Sequence, residues 1–162
     1  MTMKHAFLIM AHGSLPLLRV LLSMLDDERN DIFLHIDRKS DMLDGAEPLV
    51  LSKARLFLLE QRVDVRWGNL SQIKAEYVLF EEALKHGPYA YYHLLSGQDL
   101  PIKSQDYIHQ FFEEHQGKEF VGINHGEEFE WDCLDYAKHL RHIRRQGNAP
   151  PHLRAQKLSK RD

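Results

Sequence analysis

The chain has 162 residues, 43% of them hydrophobic and 28% charged, with a net charge of -3 and one cysteine, Cys133. This is enough for one full core and too little for two. The apolar content excludes a disordered chain, the lone cysteine excludes a disulfide scaffold or a cysteine-rich zinc site, and the small net charge excludes a nucleic-acid binder driven by bulk electrostatics.

The run from His5 to Ala11 is continuously apolar up to a Gly-Ser turn, as in a buried parallel strand. Ser14 is placed to cap a helix and Pro16 suits its first turn; Leu17, Leu18, Leu21, Leu22 and Leu25 then recur at helical spacing. Ala6 to Leu25 imitates a signal peptide, but His12-Gly13-Ser14 and Pro16 interrupt it and Arg19 lies in its second half. A strand, a turn and an amphipathic helix are therefore expected, without a signal peptide or a spanning helix. That reading places the chain in the cytoplasm and leaves peripheral membrane contact open.

Ile32 to Asp37 reads as a second strand ending on a carboxylate, Asp41 to Leu51 as a looser segment with a short helix, and Arg55 to Leu59 as a third strand. Ser71 to His86 gives the clearest helix, with Ile73, Tyr77, Phe80 and Leu84 along one face and Gly87-Pro88 as its stop. A fourth strand is expected over Tyr91 to Leu95, a helix capped by Ser104 through His115, a fifth strand over Glu119 to Ile123, and a helical pattern from Trp131 to Arg145. The segment from Gln146 to Asp162 contains Pro150-Pro151 and few apolar anchors, so an exposed, poorly ordered tail is expected. From Lys138 onward eight basic residues meet one acid, a net +7 against -10 for the remainder. That basic end reads first as a solvated helix face and a frayed end; pairing with a diphosphate or an anionic lipid is the alternative. The organisation expected is an α/β domain over 1–125, a helical extension over 126–145 and a basic, flexible tail over 146–162.

Strands alternating with helices imply a mostly parallel sheet with helices on both faces, a Rossmann-like α/β domain. Ligands of such sheets bind outside the C-terminal strand ends, which directs attention to four places. Ala11-His12-Gly13-Ser14 joins the first strand to its helix and could cradle a phosphate or the edge of a base on helix-start amides, or be an ordinary turn; it has neither G-x-G-x-x-G nor a P-loop. Asp37 stands where an acid often accepts from a ribose or a base; a cap or a surface ion pair is the plainer account. Trp67, in Val65-Arg66-Trp67-Gly68-Asn69, would stack on an aromatic base or else lid the core. In Leu94 to Lys103, Gly97 frees a turn from which Asp99 projects, and Pro101 fixes the exit; substrate contact through Ser96, Gly97, Asp99 and Lys103 competes with a merely well-capped loop.

Other chemistries find little support. His139 and His142 are three apart on an expected helix but lack a third ligand at a familiar spacing, so no metal site is expected. No strict D-x-D occurs, and Glu130-Trp131-Asp132 is a loose imitation of it. Ser14 and Ser96 lack the setting of a nucleophile elbow.

Four pieces together resemble the core-2/I-branching glycosyltransferase family, which includes peptide O-xylosyltransferases. They are Ala6 to His12 with the leucine-rich helix after it, His35-Ile36-Asp37-Arg38-Lys39, Val65 to Gly68 followed by Ser71 and Ala75, and Leu94 to Lys103, the most specific of the four. They occur in family order over roughly residues 4 to 123. The resemblance implies a GT-A-like fold and inverting transfer of a sugar, commonly N-acetylglucosamine or xylose, from a UDP-sugar to a hydroxyl of a glycan or protein. It implies no cofactor and no D-x-D-bound metal. It also implies contacts to the nucleoside from Met10 and Ala11 through backbone, with His12 beside them, from Asp37 to the uracil or ribose, and from Trp67 to the uridine face. Ser96 to Lys103 would border the donor and acceptor cleft.

In the family the general base is a glutamate beyond the donor-binding half. This chain stops at Asp162, and Glu127, Glu128 and Glu130 carry no motif that marks one of them as the base. The expectation is a donor-binding half without its general base. A nucleotide-binding module without turnover, or one completed by a second chain, is the alternative; a basic-tailed interaction protein is a third.

Overall fold

A computed structural model describes residues 4–66 and 68–120. The chain divides into two compact units, Met1–Gln116 and Gly117–Asp162. In the second unit only residues 117–120 are described, and they form no regular element. The helical extension over 126–145, the tail over 146–162, His139, His142 and the three glutamates considered as base lie outside the described residues, as does most of the fifth strand expected over Glu119 to Ile123; its first two residues, Glu119 and Phe120, are irregular.

In the first unit four strands form one sheet with every pair parallel: β1 (His5–Ala11), β2 (Asn30–Ile36), β3 (Arg55–Leu58) and β4 (Tyr91–Ser96), in the order β3-β2-β1-β4. Between them run α1 (Leu15–Met24) and α2 (Ser71–His86), and α3 (Gln105–Glu114) follows β4. The α/β class and the helices on both faces are as expected. Ala6 to Leu25 falls largely in β1 and α1, whose apolar faces are built into the core, and no helix among the described residues is long and apolar enough to cross a membrane.

Alternation along the strands sets the two faces. Phe7, Ile9, Ala11, Ile32, Leu34 and Ile36 pack with Leu18, Leu21, Leu22 and Leu25 of the α1 segment. Ala6, Leu8 and Phe33 meet Ala75, Val78, Leu79 and Ala83 of α2 on the other face. Each fully buried Leu or Ile contributes about 1.5–3 kcal/mol of transfer free energy. Ser14 caps α1, its Oγ accepting from Leu17 N–H at 3.4 Å, and Ser104 caps α3 likewise from Tyr107 N–H at 3.3 Å.

One expectation is corrected. Asp41 to Leu51 contains turns and no helix. Gly45 takes φ +66°, and the carbonyls of Glu47 and Pro48 point at Arg19, whose guanidinium donates to both. A cation from α1 thus satisfies the segment's backbone in place of a helical ladder. On α2 the large apolar stripe is not the buried one: Ile73, Tyr77 and Leu84 are exposed and Phe80 is half-buried. The buried stripe is offset from it and contains two alanines, whose small side chains let the helix lie close to the sheet.

At the N-terminal edge Asp31 is fully buried and accepts from Lys4 Nζ at 3.0 Å, Tyr89 Oη at 2.7 Å and the Arg55 guanidinium. Burial alone would raise its pKa; the Arg55, Tyr89 and Lys4 bonds outweigh it and hold the carboxyl below its ordinary value. Nearby, on the α1 face, three imidazoles meet. His5 Nδ1 and His93 Nε2 share a hydrogen bond at 3.0 Å, the rings of His5 and His109 are 4.1 Å apart, and His109 bonds Asn30 Oδ1 at 2.9 Å. Asn30 Nδ2 donates to Leu25 O and Gln105 Oε1, so its oxygen is the acceptor and His109 Nε2 the donor.

Burial, then the His109 and His93 charges, then Arg29, push His5 down to about 3; burial and His109 push His93 down to about 4. His109 is lowered by burial and Arg29, against the pull of Asp27, Asp106 and Glu113. Folded imidazoles therefore stay neutral where unfolded ones, with the ordinary value of 6.5, take up protons. The unfolded state binds more protons, so stability is flat above pH 6.5 and falls as pH drops from there toward 4. The slope reaches at most about 1.4 kcal/mol per pH unit for each imidazole. Urea unfolding between pH 7.5 and 4.5 measures it, and His93→Phe, which keeps a ring between Phe7 and Phe112, should flatten it. A stability independent of pH over that interval contradicts a neutral cluster.

Candidate functional site

The strand order runs outward from β1 through β2 to β3 and then reverses to β4 on β1's other side. A crevice opens at such a reversal, outside the carboxyl ends of the strands. Here it is a cleft of about 290 Å³, close to the lower bound of small-molecule sites at roughly 300 Å³. Met10, Ala11 and His12 enter from the end of β1, His35 and Asp37 from the end of β2, and Ser96 from the end of β4; Val65 and Gln72 close it from the β3–α2 connection and the first turn of α2.

β1 and β4 approach unusually closely at the floor. Gly97 N–H donates to Met10 O at 2.7 Å, and a Cβ on Gly97 would stand 2.7 Å from Ala11 Cβ and 3.0 Å from Ala11 Cα. Any larger residue must part the strand ends. Asp37 N–H donates to Ala11 O at 2.8 Å, carrying the β1–β2 ladder one residue past Ile36. The Met10 and Ala11 carbonyls, expected at the nucleoside, thus each accept one internal bond and keep a second lone pair.

Asp37 is 6% exposed. Its carboxylate accepts from Lys39 N–H at 2.8 Å and Lys39 Nζ at 3.2 Å, so the residue combines the turn-capping and ion-pairing roles of the plainer account while lining the cleft. Lys39 Nζ also donates to Asp64 at 2.6 Å and to Val65 O. Asp64, which the sequence reading passed over, accepts from Arg66 as well at 2.9 Å. Arg66 first and Lys39 second bring its carboxyl down to about 2, and the bond to Asp64 raises Lys39.

His35 was also passed over as a site residue, although the period-two rule puts it on the same strand face as Asp37. It is 1% exposed. Its Nε2 accepts from Val63 N–H at 2.9 Å. Burial lowers its pKa, opposed by Asp37 and, least, by the pull of the residue's own backbone, and assisted by Arg62. A neutral ring whose Nε2 accepts must carry its proton on Nδ1. Nδ1 meets no protein acceptor and is the single buried side-chain N or O atom without a partner among the described residues.

The β4 exit loop is largely self-satisfied. Asp99 folds back to accept from Ser96 N–H at 2.7 Å, and Ser96 Oγ accepts from Gln98 N–H at 3.0 Å. Ser96 still lines the cleft with its hydroxyl proton free to donate, and Gly97 supports the floor. Lys103 is exposed, its Nζ 4.9 Å from the Tyr107 ring centroid, and is not among the lining residues. Trp67 lies outside the described residues. No three His, Cys, Asp or Glu side chains among the described residues are grouped to hold a metal ion.

Apolar walls with a few converging polar groups at a switch point define an α/β ligand-binding cleft. Residues 5–152 match the model of the Core-2/I-Branching enzyme family, so the chain belongs to that glycosyltransferase family, whose members take a sugar donor and an acceptor. No curated protein matches the chain.

Gly97→Ala should cost about 1–3 kcal/mol of stability, the usual range for overpacking. Gly13→Ala is the control: its Cβ would meet only Gln98 Nε2, at an ordinary 3.5 Å. Equal urea midpoints for the two variants contradict the close approach.

Proposed function

We propose that the cleft binds the nucleotide of a UDP-sugar and that the chain serves inverting transfer of the sugar, N-acetylglucosamine or xylose, to a hydroxyl of a glycan or protein without a D-x-D-bound metal. The observation that carries this reading is the cleft at the β1/β4 reversal, in a chain of a glycosyltransferase family. Its volume suits a base better than a whole sugar nucleotide, with the sugar and diphosphate extending outward. Asp37 has lone pairs left for an imide or ribose donor, Met10 and Val65 give apolar walls, and Trp67, two residues after Val65, is assigned the face of the uracil.

The acceptor oxygen attacks the anomeric carbon from the side opposite the diphosphate. The bond to the diphosphate breaks, UDP leaves with the electron pair, and a base takes the hydroxyl proton. Asp37 is the one carboxylate among the described lining residues, and it is tied to Lys39. This favours a second reading, UDP binding without turnover until another segment or chain brings a base.

UDP at a hundredfold excess over its Kd should stabilise the fold by about 2.7 kcal/mol. No stabilisation at millimolar UDP removes both readings; stabilisation with no sugar released or transferred leaves the second. Transfer that survives EDTA supports the metal-independent chemistry, and strict manganese dependence contradicts it. Asp37→Asn keeps an acceptor for Lys39 N–H and should weaken UDP binding, while Trp67→Ala should cost about 1–3 kcal/mol of it. Calorimetry reads both, and unchanged affinities clear these residues of their roles.

A further inference from the structure

The geometry points to His35 as the residue that reads the base: its Nδ1–H donates to a carbonyl oxygen of the bound pyrimidine. The assignment rests on the UDP-sugar reading above and goes beyond it by naming a donor that neither the family match nor the motifs assign.

Three features carry it. His35 lines the cleft, in register with Met10 and on the same β2 face as Asp37. Its ring cannot turn the other nitrogen to the ligand, because Nε2 is held by Val63 N–H at 2.9 Å. The remaining nitrogen therefore presents a proton, and that proton meets no hydrogen-bond acceptor among the described residues. A buried donor is normally paired; Nδ1 is covered in the ligand-free protein, so it meets a base in the cleft that His35 lines once ring and ligand close on one another. Phosphate and sugar hydroxyls are poor candidates for so narrow and apolar-walled a site, since both are heavily hydrated. A uracil ring is flat and carries two carbonyl oxygens flanking an imide N–H, and Asp37 on the same strand face is an acceptor available to that N–H. Cytosine would turn an acceptor nitrogen toward the same carboxylate, so this donor and acceptor favour uridine over cytidine nucleotides.

The test uses the full chain with UDP. His35→Gln places an amide oxygen where Nε2 was, keeping an acceptor for Val63 N–H, and leaves nothing at the Nδ1 position. Calorimetry should show UDP binding weakened roughly tenfold or more, with the ligand-free variant melting close to the unaltered chain. Should the variant not fold, the unaltered chain decides by itself: in a long-range proton–nitrogen spectrum the His35 Nδ1 proton should shift downfield as UDP is added. An unmoved Nδ1 proton, or equal affinity in a folded His35→Gln, overturns the assignment of His35 while the UDP reading stands. Failure of the unaltered chain to bind UDP overturns that reading and this one together.

Discussion

The cleft depends on how the irregular connection between β3 and α2 is pinned to the end of β2. That connection has no ladder of its own, so its backbone groups need other partners. Val63 N–H donates to His35 Nε2 at 2.9 Å, and Val63 O accepts from Arg38 N–H at 3.0 Å. Arg62 beside it donates to the carbonyls of Ile36, Asp37 and Ser40. A single such bond adds only about 0.5–1.5 kcal/mol net. Its larger consequence is geometric, because it sets Val65 as a wall of the cleft and fixes which nitrogen of His35 carries the proton. Support of the wall and polarity of the floor thus come from one contact.

The two ends of the sheet contrast in how fully their polar groups are satisfied. At the N-terminal end Asp31 has four hydrogen bonds from three cationic or phenolic partners, and the imidazoles of His5, His93 and His109 are bonded to one another or to Asn30. Polar groups there tie β1, β2, β3, β4 and α3 to one another. At the C-terminal end His35 Nδ1 is unpaired, Asp37 has spare lone pairs and Ser96 can still donate. A buried donor without a partner, the single one among the described residues, at the edge where the strand order reverses is what a parallel sheet prepared for a polar ligand should show.

Much of this was legible in the sequence for definite reasons. The strand over His5–Ala11, the helix over Ser71–His86 and the caps at Ser14 and Ser104 follow from apolar runs and hydroxyl placement, which are local signals. Asp37 follows from the rule about strand ends. The buried face of α2 was not legible, because large exposed residues dominate its periodicity while the contact with the sheet uses Ala75 and Ala83. The turns over Asp41 to Leu51 depend on Arg19, distant in sequence, and Asp99 turns inward through a bond to Ser96 that the loop's polar character does not distinguish from substrate contact. His35 illustrates the limit most clearly. Its place on the face shared with Asp37 is readable from alternation, but its unpaired nitrogen exists only once Val63 has taken the other one.

The cations beside the cleft bear on how a nucleotide's diphosphate would be met. Lys39 and Arg66 stand next to Val65, and both are joined through Asp64, whose side chain is 23% exposed against 53% and 66% for the two cations. Exposed ion pairs contribute only about 0–1 kcal/mol, so either cation can leave Asp64 at small cost. The bond from Lys39 to Asp37 differs, because that carboxylate is buried and gains from the neighbouring charge. One lysine therefore has a partner it can release and a partner it should keep. Asp64 holds the two rim cations near neutral, while Asp37 at the floor keeps lone pairs that Lys39 does not use.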